Sequence, residues 1–231
     1  MKQEKNTVSV LLMLFSILFC VCLIAANLFA TKQIALGTFS VTGGLIVFPI
    51  SYIINDCVCE VWGYSKMRLL IWTGFAMNFF FVAMGALCDW IPAAPYYTNT
   101  EGFHAVFGLA PRVALASFCA FLVGSFLNAY VMSRMKVTSQ GRNFSLRAIA
   151  STLVGEGADS LIFFPLALGG VVPTSALPAL MLSQVVLKTL YEVAVLPLTV
   201  RTVKWLKRVE GTDAYDDNIS YNVFKISLKN S

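Results

Sequence analysis

The sequence predicts an all-α membrane protein, a six-transmembrane-helix bundle with both termini cytoplasmic. Three observations carry this. The chain has 231 residues, of which 58% are hydrophobic and 13% charged, whereas soluble domains carry about 25% charged residues. Its mean hydropathy is +0.74, and the apolar residues gather into runs of about 20, the length that crosses a bilayer core. The basic residues cluster on one side as those runs are counted off.

The first span is Val8 to Ala30. Its apolar stretch exceeds the 7–15 residues typical of a secretory signal, so it reads as a span that is kept. The second runs from about Thr42 to Trp62, with a pattern weakened by Pro49, Asp56 and Glu60. The third is Leu69 to Leu87, the fourth Arg112 to Met132, the fifth Ser145 to Gly169 and the sixth Ser175 to Val200. With the N-terminus inside, the inner segments hold Lys2, Lys5, Lys66, Arg68, Arg134, Lys136, Arg142 and Arg147. Arg201, Lys204, Lys207, Arg208, Lys225 and Lys229 join them, while the outer side keeps only Lys32 and Arg112. The outer loop from Cys88 to Pro111, with Tyr96 and Tyr97, reads as an interfacial loop or short lid. The stretch Arg201 to Arg208, with Trp205, reads as the last helix continuing into the inner lipid surface. Residues 1–209 thus form one transmembrane domain, and the polar residues 210–231 read as a flexible cytoplasmic tail. Three spans lie on each side of the outer loop, with acids in the second span of each half, a hint of a 3+3 inverted repeat.

Against this apolar background the charges within the spans stand out. A charge at the centre of a span costs roughly 2.5–3.5 kcal/mol, so Glu156, Asp159, Lys188 and Glu192 together cost on the order of 10 kcal/mol before pairing. Gln184, Lys188 and Glu192 are four residues apart and form one polar stripe on the sixth helix. At 1.5 Å per residue Lys188 lies about 20 Å from the outer end, and Glu156 and Asp159 about 16 and 21 Å from the inner end. The two sets should meet near the centre. A buried ion-pair network joining two helices would explain Lys188 with one acid. It would not explain three carboxylates against one cation, which must be protonated, hydrated or turned to a ligand that donates hydrogen bonds.

Gly155 and Gly157 flank Glu156, which suggests either a locally opened helix or close helix packing. Asp56 and Glu60 share a helix face and are candidates for the site, the alternative being a helix end paired to Lys66 or Arg68. Asn27 is a further candidate, while Asn78 and Asn128 read as helix glue. Trp72, Phe75, Phe79, Phe80 and Phe81 make the third span a source of stacking faces, although core or lipid packing explains them equally. The six cysteines, two pairs of them C-x-C, have no histidine-rich context and read as free thiols, and neither a metal site nor a cofactor is expected.

The segments FPISYIINDCVCEVWGYSKMR (48–68), STLVGEGADSLIFFPLA (151–167) and QVVLKTLYEVAVLPLT (184–199) together resemble the queuosine precursor transporter family, also called the vitamin uptake transporter family. The resemblance covers nearly the whole six-span plan. Cys57, Cys59 and the long carboxyl tail depart from the pattern. It implies uptake, across a bacterial inner membrane, of 7-deazaguanine bases such as 7-cyano-7-deazaguanine, its aminomethyl form or queuine. The local chemistry agrees, because one carboxylate can accept both hydrogen bonds of a guanine-like N–H and amino edge. Glu156 or Asp159 would take that role, Lys188 or Gln184 would donate to the ring carbonyl, and an aromatic of the third span would stack on the ring. Proton coupling and facilitated diffusion both fit.

The implied partners are a small heterocyclic base and the lipid bilayer. A homodimer is allowed, and nucleic acid is not expected, since the net charge of +5 is spread among loops. The alternative function is a substrate-binding membrane subunit of an ATP-driven vitamin importer, because the chain has no G-x4-G-K-[ST] motif of its own. An enzyme is not expected, since the lone histidine, His104, lies in a loop and there is no nucleophile–base pair.

Overall fold

A computed structural model describes residues 9–30, 32–36, 39–108, 111–170, 173–175, 177–217 and 219–225. Lys2, Lys5, Thr31 and Lys229, and the first residue of the expected first span, lie outside the described residues. Among the described residues six helical segments are long and apolar enough to cross a membrane, in the expected order.

Helix α1 (Val10–Ala30) is followed by a short antiparallel hairpin, β1 (Gln33–Leu36) with β2 (Phe39–Thr42), in which Gln33 faces Thr42. The sequence reading did not foresee this hairpin. A 3-10 turn at Gly43–Ile46 leads into α2 (Phe48–Trp62). Gly43 packs so closely on α1 that an added Cβ would lie 2.6 Å from the Phe29 carbonyl oxygen. Pro49 stands in the first turn of α2, where a missing N–H costs no helical hydrogen bond. It therefore starts the helix rather than weakening it. Gly63 (φ 85°) alone separates α2 from α3 (Tyr64–Trp90), a backbone conformation that glycine adopts without strain.

The outer loop holds a short helix, α4 (Thr100–Phe107), tied to the end of α3 by His104 Nδ1 and Asp89 at 2.6 Å. Helices α5 (Pro111–Thr138) and α6 (Phe144–Leu168) form an intimate antiparallel hairpin. A Cβ on Gly155 would meet the Gly124 carbonyl oxygen at 2.9 Å, whereas Gly157 faces open space. Helix α6 is unbroken around Glu156, so Gly155 serves close helix packing and the helix is not opened there. Helix α7 (Leu177–Glu210) has 34 residues, about 51 Å at 1.5 Å per residue, and so outruns the bilayer core at its basic end. Ser9 Oγ donates to Glu210 Oε1 at 2.6 Å, which brings the two ends of the described chain to the same side of the bundle.

The side-chain distribution is that of a bundle in lipid. Leu182, Leu190 and Leu198 of α7 are among the large apolar residues facing outward, while Asp56, Glu60, Asn128, Arg147, Glu156 and Glu192 are buried. Described residues of the segment after α7 lie against the basic end of the bundle. Asp216 accepts from the Tyr64 amide at 3.0 Å and from Ser133 Oγ at 2.5 Å, capping the start of α3. Arg68 donates to the carbonyls of Ser220 and Asn222, and Trp72 Nε1 donates to that of Val223.

Candidate functional site

Helical spacing sets three buried polar columns side by side. Helix α2 carries Tyr52, Asp56 and Glu60, α6 carries Arg147, Thr152, Glu156 and Asp159, and α7 carries Gln184, Lys188 and Glu192. A step of four residues is about 6 Å of rise, so each column spans several layers of the bundle.

The upper layer is the meeting expected from the depths of the charges. Lys188 Nζ donates to Glu156 Oε2 at 2.6 Å and lies 3.6 Å from Asp159 Oδ2. It also sits 4.2 Å from the centre of the Phe48 ring. Beside it opens a cavity of about 410 Å³, within the roughly 300–1,000 Å³ of small-molecule sites. Asp159, Lys188 and Gln184 border it, and so does Asn27, which donates to Asn78 Oδ1 at 2.8 Å. Ser160 joins them with a buried hydroxyl that has no partner among the described residues. The remaining wall is apolar, with the rings of Phe48, Phe121, Phe163 and Phe164. Mostly apolar walls with a few convergent polar groups are the usual form of a site for a flat organic ligand.

Two details differ from the expectation. Glu156 does not border the cavity but holds Lys188 from behind, which leaves Asp159 as the carboxylate that faces it. The aromatic walls come from α2, α5 and α6, not from the third span. Phe75 and Phe79 of α3 pack on Phe118 instead, and Trp72 packs on Phe126 and Phe224. From α3 the cavity receives Asn78, whose hydrogen bond from Asn27 also joins α3 to α1, the helix-joining role expected of it.

In the middle layer Asp56 and Glu192 are buried with their carboxyl groups within hydrogen-bonding reach of each other. Ser151 Oγ lies 3.4 Å from Asp56 Oδ1, and Asn128 Nδ2 donates to Thr152 Oγ1 at 3.4 Å. Neither acid borders the cavity.

The lower layer centres on Glu60. Arg147 grips it with two nitrogens, at 2.5 and 3.1 Å. Lys207 reaches Oε1 at 2.6 Å, and Lys136 lies 3.7 Å from it. Lys136 and Lys207 also pair with Asp213 of the docked tail. Partial burial pushes the Asp213 carboxyl up, but these two cations outweigh that and hold it below the ordinary carboxylate range. Glu60 therefore belongs to a clamp far from the cavity, and its partners are not the Lys66 or Arg68 expected of an exposed helix end. Sequence reasoning missed this role for Arg147, Lys136 and Lys207, because basic residues near the inner surface are ordinarily solvated.

Comparison with known proteins places these residues in context. A family model described as "Putative vitamin uptake transporter" matches residues 42–202. The chain is 28% identical over 190 residues to the "Probable queuosine precursor transporter" of Bacillus subtilis (strain 168), covering 81% of this chain and 82% of that relative. It is 28% identical over 144 residues to the "Queuosine precursor transporter" of Escherichia coli (strain K12), covering 61% of each. It is 25% identical over 141 residues to the "Probable queuosine precursor transporter" of Haemophilus influenzae, covering 59% of this chain and 57% of that relative. No solved structure matches it significantly.

Proposed function

The chain belongs to the vitamin uptake transporter family, and from that footing we propose that it imports queuosine precursors, 7-deazaguanine bases, across a bacterial inner membrane. The observation that carries this reading is the Asp159 carboxylate at the edge of an aromatic-walled cavity, with Lys188 beside it. A 7-deazaguanine presents a ring N–H next to an exocyclic amino group, and one carboxylate can accept from both. Asp159 takes this edge. Lys188 or Gln184 donates to the ring carbonyl, Asn27 and Asn78 reach the remaining polar atoms, and a phenylalanine ring stacks on the bicycle. Glu156 holds Lys188 in place. Asp56, Glu192 and Glu60 lie outside this contact set.

The basic end of the bundle, with both ends of the described chain, faces the cytoplasm under the positive-inside rule. The names of the relatives support a transporter rather than a subunit that waits for an ATPase. Vesicles containing only this polypeptide test both points. Labelled 7-cyano-7-deazaguanine should enter and be displaced by its aminomethyl form, with or without internal ATP. No entry by any 7-deazaguanine base would refute the reading.

A further inference from the structure

We propose that Asp56 and Glu192 form a proton site that couples proton entry to import. This rests on the uptake reading above and adds the driving ion and its seat. The two carboxyls come from different helices, α2 and α7, and are 0% and 3% exposed. They lie within hydrogen-bonding reach, yet two carboxylate oxygens can be bridged only if one carries a proton. Among the described residues no ion pair reaches either group, because the buried cations are committed elsewhere. Lys188 is held by Glu156 and Asp159, and Arg147, Lys136 and Lys207 by Glu60 or Asp213. Two adjoining acids without a counter-charge cannot both ionise in such a place.

A second observation points to an occupant. Asp56 Oδ2, Glu192 Oε2 and the uncharged Asn128 Oδ1 are all buried without a hydrogen-bond partner among the described residues, and Asn128 adjoins Asp56. A proton on one acid supplies the missing donor to the other. Tyr52, one turn from Asp56, adds a further buried hydroxyl without a hydrogen-bond partner among the described residues.

The helices packed around the pair carry other titratable groups: Tyr52, Cys57 and Glu60 on α2, Glu156 and Asp159 on α6, and Lys188 on α7. Helix α5 contributes the uncharged Asn128 here, α1 carries no charge, and Arg68 of α3 is bound to tail carbonyls. Loss of the proton leaves two like charges between α2 and α7 and pushes these helices apart. Protonation state therefore biases the packing of the two helices that flank the cavity.

The test uses the full-length purified chain in liposomes loaded with pyranine, with labelled 7-cyano-7-deazaguanine outside. An inward proton gradient of one pH unit should raise steady-state accumulation up to ~10-fold for one proton per base, and pyranine should report internal acidification that follows base entry. In Asp56→Asn and in Glu192→Gln the ratio of accumulation with and without the gradient should fall to about 1. The wild-type pyranine signal needs no variant, so a variant that fails to fold does not shield the proposal. Counterflow exchange of base without any response to the pH gradient would overturn the proposal and leave the uptake reading standing. So would accumulation driven by a sodium gradient instead, or a proton-driven ratio retained in both well-folded variants. Absence of counterflow would sink the uptake reading itself, and this proposal with it.

Discussion

The Lys188 layer and the Glu60 layer are both buried ionic clusters that join α6 to α7, yet their stoichiometries are opposite. Around Lys188 two acids share one cation beside a cavity of about 410 Å³. Around Glu60 three cations converge on one buried acid, and the tail's Asp213 balances two of them. An excess of acceptors facing a void is suited to a ligand that donates hydrogen bonds. An excess of donors closed on an acid outside that cavity is suited to holding helices together. Burial alone does not separate a binding site from a clamp, but charge balance and neighbouring space do.

The largest effect that should separate the two layers is on stability. Glu60→Gln strands Arg147, Lys136 and Lys207 around a neutral group. Breaking a buried ion pair from one side costs about 3–5 kcal/mol, so thermal unfolding in detergent should show a large fall in Tm. An unchanged Tm would erase the distinction. Asp159→Asn should do the reverse. Lys188 keeps its 2.6 Å contact to Glu156, so Tm should move little. Loss of hydrogen bonds to a charged acceptor, about 1.5–3 kcal/mol, should weaken uptake by roughly 10- to 100-fold.

Much of the upper layer was legible in the chain, because a stripe at four-residue intervals and a fixed helical rise place Lys188 at the depth of Glu156 and Asp159. Helix spacing does not say which of two acids faces a void, so Glu156 and Asp159 stayed equivalent until the packing of α6 on α7 was known. Phe48 was hidden for another reason. It precedes Pro49 at a helix start, while the third span advertised its aromatics and then spent them on α5 and the tail. The clamp was illegible because Arg147 and Lys207 look like ordinary interfacial cations, and their inward turn exists only once Glu60 is buried between α6 and α7. Docking of the tail depends on Asp213 and Asp216 finding partners on α3, α5 and α7, and no local pattern in a polar segment encodes that.

A smaller effect sharpens the role of the cavity wall. Phe48→Leu removes the ring beneath Lys188 and one possible stacking face, interactions worth about 0.5–1.5 kcal/mol. The concentration of base at half-maximal uptake should rise by about 2- to 10-fold, while the maximal rate changes less. A variant indistinguishable from wild type would move the stacking role to Phe121, Phe163 or Phe164.

The smallest effect concerns the tail, and its sign is fixed. The carboxyl of Asp213 is held below its ordinary range when docked, so it binds fewer protons docked than free. Its contribution is complete above the ordinary carboxylate range and is lost as pH falls through the lowered value. Because the side chain is 43% exposed, solvent screening keeps the contribution small. Hydrogen exchange of residues 211–225 should quicken modestly on acidification and in Asp213→Asn at neutral pH. Exchange independent of both would detach Asp213 from the clamp.

The proposed role of Asp159 and Lys188 is to hold a flat, hydrogen-bond-donating base in the space beside them. Equilibrium binding of labelled 7-cyano-7-deazaguanine to the purified chain in detergent tests it directly, with wild type, Asp159→Asn and Glu60→Asp measured together. Saturable binding to wild type is expected, with loss of that binding in Asp159→Asn despite a near-native Tm, and binding retained in Glu60→Asp wherever that variant is folded. Equal affinity in wild type and Asp159→Asn would contradict it.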